Sequence, residues 1–248
     1  MADQALTSIG PAFVGVKAIT LDLDDTLWPV APVLARAEQQ LTDWLARHAP
    51  RTAASLAGRY HYPALKARYP ERAHDVSWMR LQFLREVLAQ HGEDPALAEP
   101  AFECFYEARQ QVAPYDEVES VLAHWCHHYR LGVITNGNAD VTRMPMGRFF
   151  SVVVSAHRFG AAKPDPALFM AASEALAVEP HAILHIGDDR RLDVEAAQQA
   201  GFQSAWLRRP DLAQHDVQSH TENAGTPPRV FPDLLAIRDA LQQEGVVL

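Results

Sequence analysis

Apolar residues in this chain fall into two textures. Short runs recur at Val16–Leu23 (VKAITLDL), Leu131–Thr135 (LGVIT), Val152–Ser155 (VVVS), Ala182–Ile186 (AILHI) and Gln203–Leu207 (QSAWL). Their nearly unbroken apolar character suits strands covered on both faces. Helical patterns lie before and between the later runs, at Asp116–His128, Pro166–Ala177 and Leu192–Ala200, the last followed by Gly201 in a C-cap position. Alternation of this kind predicts a doubly wound α/β domain with a parallel sheet.

The second texture fills the gap between the first and second runs. From about Val30 to Val112 the chain is rich in Ala, Leu, Arg, Glu and Gln, with apolar residues at helical spacing. Leu34, Ala37, Leu41 and Leu45 fit one helix face, and Val76, Met79, Phe83, Val87 and Leu88 fit another. Pro50, Pro63, Pro70 and Pro95 divide the stretch into several helices. An insertion of about 80 residues is far too long for a strand-to-helix loop. It predicts an all-α subdomain with its own small core over the end of the sheet. The expected division is therefore a core of residues 1–28 and 113–248, and a helical insertion of 29–112. Gln218–Arg229 is polar and bears Pro and Gly, so it is expected as a surface loop before a last helix near Asp233–Gln243.

Composition narrows the setting. The 248 residues carry 22 Lys and Arg against 31 Asp and Glu, a formal charge of −9. An acidic excess gives no general attraction to a phosphate backbone, so no nucleic-acid partner is expected, although a small anionic ligand could still meet local positive groups. Cys104 and Cys126 alone make neither a disulfide framework nor a four-ligand zinc site. No apolar run approaches the roughly 20 residues a membrane helix needs. No basic, apolar leader precedes Lys17, so the expected location is the cytoplasm, as monomer or homodimer.

Candidate chemistry gathers at the ends of the strand-like runs. The first ends Asp22-Leu23-Asp24-Asp25-Thr26. Carboxylates crowded at a strand terminus repel one another, and Mg²⁺, with its preference for hard oxygen ligands, would resolve the conflict. The second ends Thr135-Asn136-Gly137-Asn138, a hydroxyl and amide beside a glycine that can present donors to a phosphoryl oxygen. Lys163 precedes Pro164-Asp165-Pro166, where Asp165 or Pro166 begins a helix. The fourth run ends Gly187-Asp188-Asp189, with Asp188 placed as a second metal ligand and Asp193 able to orient Lys163 or to hold a metal-bound water. In a parallel sheet all strand C-termini open on one edge, so these groups converge.

Together these stretches resemble the motifs of the haloacid dehalogenase superfamily. The resemblance runs through Asp22-Leu23-Asp24-Asp25-Thr26, then Thr135, Lys163 and Gly187-Asp188-Asp189 with Asp193. It implies a Rossmann-like core with a helical cap and an aspartyl-phosphate mechanism. Asp22 would be the nucleophile and Asp24 the general acid and base. Lys163 and Thr135 would bind and stabilise the phosphoryl group, with Asn136 beside them. Mg²⁺ would lie on Asp22, the Asp24 backbone carbonyl and Asp188, with Asp189 and Asp193 in support. The negative neighbours Asp22 and Asp188 are expected to favour the protonated form of Asp24 that the first step needs.

With His74-Asp75-Val76-Ser77 and Arg80 included, the chain is also similar to bacterial phosphatases of 5-amino-6-(5-phosphoribitylamino)uracil in riboflavin synthesis. That likeness implies sugar phosphates or flavin mononucleotide as substrates. His74, Arg80, Trp78, Tyr60 and Tyr62 would face the substrate's ring or sugar. His124, Cys126, His127 and His128 lie on a helix flanking the sheet and are expected as a solvated helix end rather than a metal cluster. A sugar-phosphate mutase would share the motifs. A 2-haloacid dehalogenase would share the nucleophile but needs no acid at Asp24. A non-catalytic phosphate-binding protein would need none of the turnover groups, and a two-component receiver would lack the helical insertion.

Overall fold

The computed structural model describes residues 13–56, 62–210, 212 and 228–243. The strands are β1 (Ala18–Leu21), β2 (Arg130–Thr135), β3 (Val152–Ser155), β4 (Ile183–Gly187), β5 (Gln203–Leu207) and β6 (Arg229–Phe231). They form one parallel sheet in the order β3-β2-β1-β4-β5-β6. β1 is central, with β2 on one side and β4 on the other, so the strand order reverses beside it. Ligands of open α/β sheets bind at such a switch point.

The helices are α1 (Val30–His48), α2 (Pro50–Leu56), α3 (Pro63–Arg68), α4 (Val76–Gln90), α5 (Ala98–Arg109), α6 (Val118–Trp125), α7 (Ala156–Phe159), α8 (Pro166–Leu176), α9 (Ala196–Gln199) and α10 (Leu234–Gln243). One sheet face buries Ile19, Leu21, Val133 and Leu184 with Val121 and Trp125 of α6 and Ile237 of α10. The other packs Ala18, Ile134 and Ile183 against Leu168, Phe169 and Ala172 of α8 and Ala196 of α9. Helices on both faces explain why the strands read as continuous apolar runs.

Helices α1 to α5 form a layer with an apolar cluster of its own. Val33, Ala37, Leu41 and Leu45 recur every four residues and bury one stripe of α1, which packs against α5. Pro50 and Pro63 open α2 and α3, where the missing N–H costs nothing. Glu93 accepts the backbone N–H groups of Arg51 and Thr52, both at 3.0 Å, so a distant carboxylate caps α2. Asp75 caps α4 through the Trp78 N–H at 2.9 Å.

Some expectations need correcting. The buried stripe of α4 is Met79, Arg80, Leu84 and Leu88, whereas Val76, Phe83 and Val87 are half-buried. The stripe rotates because Arg80 lays its guanidinium 3.6 Å over the Phe105 ring of α5, making a charged residue part of the inner face. Leu192–Ala200 is not one regular helix. Arg190–Glu195 is a widened turn, in which Asp193 and Val194 both donate to the Asp189 carbonyl before α9 begins. Gly201 does follow in the left-handed region, at φ 84°. β6 is a strand that the apolar pattern does not predict; Arg229 opens it rather than closing a loop. Residues 218–227 and Tyr60 lie outside the described residues.

Candidate active site

The C-terminal edge of β1, β2 and β4 gathers the strand-end groups. Asp22 follows β1 directly, and its N–H continues the ladder to the Ile186 carbonyl at 2.9 Å. The chain then doubles back. Asp25, at φ 60°, donates its N–H to the Trp28 carbonyl at 2.8 Å, and its carboxylate accepts the Val30 N–H at 2.8 Å. Thr135 ends β2 buried, its Oγ1 accepting the Gly137 N–H at 3.0 Å.

Lys163 joins the strands. Its ammonium donates to Asp22 Oδ1 and to Asp193 Oδ1, both at 2.6 Å, and to the Ile134 carbonyl at 3.0 Å. Asn136 grips the Lys163 backbone reciprocally, donating to its carbonyl at 2.9 Å and accepting its N–H at 2.7 Å. Asp193 reaches this point because Gly187 lets it. A Cβ on Gly187 would stand 2.2 Å from the Asp193 Cγ, an impossible contact. The second oxygen of Asp193 accepts the Asp189 N–H at 3.0 Å. Asp189 itself caps the following turn through the Arg191 and Leu192 N–H groups.

Charge in the site is unevenly balanced. Burial works against the Lys163 ammonium, but Asp193 and Asp22 outweigh it and hold the pKa above the usual lysine range. Burial likewise opposes the Asp193 carboxylate, yet Lys163 and His185 keep its pKa below the ordinary carboxylate range. Asp22 goes the other way. Burial pushes it to about 7, reinforced by Asp193 and Asp24 against the pull of Lys163. Asp188 is pushed to about 9 by burial and by the charges of Asp22, Asp193 and Asp25. One buried lysine does not neutralise this many carboxylates.

The donor set fits a hard divalent cation. Carboxylate oxygens of Asp22, Asp188 and Asp193 lie within 4.8 Å of one another, the one such group of metal-ligating side chains among the described residues. Both Asp193 oxygens are engaged by Lys163 and the Asp189 N–H. Asp22 and Asp188 thus remain as the carboxylates that could hold such an ion, with Thr26 Oγ1 donating to Asp188 Oδ1 at 3.1 Å. Oxygen ligands of this kind suit Mg²⁺.

The family model of the haloacid dehalogenase-like hydrolases matches residues 16–201. The chain belongs to that family. Among curated proteins it is 30% identical to the 5-amino-6-(5-phospho-D-ribitylamino)uracil phosphatase YigB of Escherichia coli K12, over 78% of this chain and 84% of that one. It is 31% identical to the phosphoserine phosphatase of Thermus thermophilus, over 78% of this chain and 89% of that one. Among solved structures it superposes on a 2-haloacid dehalogenase from Pseudomonas syringae pv. Tomato DC3000 with a TM-score of 0.80 and 33% identity, covering 92% of this chain and 99% of that one.

The fold of this hydrolase brings Asp22, Thr135, Asn136, Lys163, Asp188, Asp189 and Asp193 together. Asp24 is close by, but its setting differs from the expected one. Instead of meeting only negative neighbours it meets the Arg109 guanidinium at the end of α5, 2.6 and 2.5 Å from its two oxygens, and Trp28 Nε1 at 2.9 Å. Residues of the helical layer divide. Arg80 is taken up inside the layer, over Phe105 and 3.5 Å from Glu38. His74, Trp78 and Tyr62 are half-buried, with Tyr69 edge-on to Trp78 and Phe83 edge-on to Tyr62. Neighbouring Ser77 accepts from Asn138 Nδ2 at 3.2 Å, bringing the start of α4 to the loop after β2. His124 and His128 lean on each other with ring centroids 4.9 Å apart, away from the carboxylates.

Two site residues were not legible in the sequence as such. Arg109 sits in an ordinary helical stretch, EARQQ, with nothing local to mark it. His185 is fully buried within β4, opposite Thr20 in the β1 register. Burial drives its pKa down, and its ring is hydrogen-bonded on both sides, Nδ1 with Thr20 Oγ1 (2.9 Å) and Nε2 with Asp193 Oδ1 (3.3 Å). Its polar character inside an apolar run was the available signal.

Proposed function

We propose that this hydrolase is a cytoplasmic, Mg²⁺-dependent phosphomonoesterase that transfers phosphate through Asp22 and acts on small phosphorylated metabolites. Candidate substrates are 5-amino-6-(5-phospho-D-ribitylamino)uracil, following the YigB likeness, and flavin mononucleotide, another ribityl phosphate. The observation that carries it is one arrangement at the sheet edge: buried Asp22 on Lys163, half-buried Asp188 beside it, and a second, half-buried carboxyl, Asp24, two residues along the same loop.

Asp22, the Asp24 backbone carbonyl and Asp188 would hold Mg²⁺, which supplies positive charge beside the phosphoryl oxygens when bound. The ionised Asp22 attacks phosphorus in line, the ester P–O bond breaks, and Asp24 gives its proton to the leaving oxygen. Asp24 then takes a proton from the water that attacks the phosphorylated Asp22, releasing phosphate and restoring the carboxylate. Lys163 and the Thr135 side of the loop stabilise charge on the transferring group. Asn136 and Asp193 act on Lys163, one fixing its backbone and the other its ammonium. Residues 29–112 act as the cap that excludes water, with His74, Trp78 and Tyr62 facing the leaving group and Arg80 holding the cap's shape.

The superposition on the Pseudomonas syringae dehalogenase favours a second reading, carbon–halogen cleavage by Asp22. A halide departs as a stable anion and needs no proton, so Asp24 would have no part in it. Phosphate release with Mg²⁺ is the test, across the ribityl phosphate, flavin mononucleotide, phosphoserine, phosphoglycolate and hexose phosphates, beside halide release from 2-chloropropionate. Asp22→Asn is the control, expected to lose at least about 10³-fold in rate by removal of the nucleophile. Halide release without phosphate release would replace the proposal, and isomer formation without free phosphate would make the protein a mutase.

A further inference from the structure

The last residue of α5 is a buried arginine without a place in the steps above. Arg109 is 1% exposed, and its Nη2 reaches both oxygens of Asp24. Trp28, itself fully buried, holds the first of those oxygens from the loop side. Gly137 leaves the space for this grip: a Cβ there would lie 2.7 Å from Asp24 Oδ2 and 3.5 Å from Arg109 Nη2. The end of α5 is also tied to the loop after β2. Gln110 Oε1 accepts the Asp140 N–H at 2.7 Å, and Arg143 donates to both Glu107 oxygens. A short carboxyl side chain otherwise chooses among staggered rotamers, whereas an acid–base group must stand within hydrogen-bond reach of the atom it serves.

We propose that Arg109 is the positioning residue of Asp24, so that the helical layer, through the end of α5, sets the orientation of the carboxyl that protonates the leaving group. This rests on the phosphatase reading above. As the Asp22 oxygen bonds to phosphorus, the ester electron pair moves onto the leaving oxygen, and the Asp24 proton moves to that oxygen. With Asp24 misplaced, the leaving group must depart as a bare anion. For an alkyl phosphate that anion is a strongly basic alkoxide; for p-nitrophenyl phosphate it is a stable phenolate. Loss of Arg109 therefore discriminates between leaving groups, which loss of mere packing does not.

The experiment compares Arg109→Gln, Arg109→Lys, Asp24→Asn and the Asp24→Asn/Arg109→Gln double variant, with Mg²⁺. Substrates are p-nitrophenyl phosphate and the alkyl phosphate that wild type turns over fastest. Arg109→Gln is expected to lower kcat on the alkyl ester about 10²-fold, at least about tenfold more than on the aryl ester, while Arg109→Lys recovers part of the difference. The double variant is expected to be no slower than Asp24→Asn alone. Equal losses on both esters, or additive losses in the double variant, would overturn the role. Should Arg109→Gln fail to fold by circular dichroism, the Lys variant carries the same comparison. A wild type inactive on both esters removes the phosphatase reading itself; an active wild type with leaving-group-independent losses removes only the role of Arg109.

Discussion

Asp22 and Asp24 stand on one loop, two residues apart, and each meets a buried cation from a different part of the molecule. Lys163 comes from the loop before α8 and is bound into the sheet edge by Asp22, Asp193 and the Ile134 carbonyl. Arg109 comes from the end of α5 and meets Asp24 across the boundary between the helical layer and the sheet. The compact ammonium meets three converging acceptors, whereas a single guanidinium nitrogen, Arg109 Nη2, reaches both oxygens of one carboxylate. The first pair belongs to a single packed body. The second exists only where the end of α5 in the helical layer meets the sheet edge.

The sharpest way to break the comparison is Lys163→Met. It leaves Asp22 and Asp193 buried without their cation, and the expected loss of stability is about 3–5 kcal/mol, read from urea unfolding. A loss well under that would mean the sheet edge tolerates its carboxylates alone. Leu84→Ala strikes the layer instead. Leu84 is fully buried in the layer's apolar cluster, and the expected cost is about 2–4 kcal/mol. Because the layer carries Arg109, activity on alkyl esters is expected to fall as well; full activity in a destabilised protein would separate the two bodies functionally.

Metal and pH sharpen the sheet-edge side. Folding raises Asp22 to about 7 and Asp188 to about 9 from an ordinary 3.8, so the folded protein binds more protons than the unfolded chain between those values. The stability these groups contribute is fully present below about pH 4 and is lost as pH rises through 7 and 9. Mg²⁺ bound there as proposed would replace those protons, so its stabilisation should grow across the same window, reaching about 2–3 kcal/mol at a hundredfold excess over its Kd. Melting curves with Mg²⁺ and with EDTA at pH 5, 7 and 9 check this; a shift independent of pH would count against these two ligands. Asp193 and Lys163 shift outward and act outside that window, below the carboxylate range and above the lysine range. The smallest effect is expected from Arg143→Ala. Its pair with Glu107 also joins the layer to the loop after β2, but it is exposed, and no measurable change in the urea midpoint is expected.

Much of the core was legible because its signals are local. The apolar runs marked the five strands from β1 to β5, and each strand-end group stood where its strand stopped. Pro166 opened α8 with Asp165 as its cap, accepting the Ala167 N–H at 2.9 Å. β6 escaped because it spans only Arg229–Phe231 beside a polar, Pro-bearing stretch. The stripe of α4 is misplaced by periodicity because Arg80 reads as polar, although its guanidinium covers an aromatic ring.

By itself the sequence determined the period of each element and the residues that end each strand, and a parallel sheet then brings those ends to one edge whatever the loops do. Tertiary structure alone decided which charge meets which. Arg109 reaches Asp24 from 85 positions away, and His185 faces Asp193 only because Gly187 admits that carboxylate to the sheet edge. Hydrophobic periodicity follows from the repeat of a strand or a helix. The partner of a buried cation follows from how two packed bodies meet, and no local pattern along the chain carries that information.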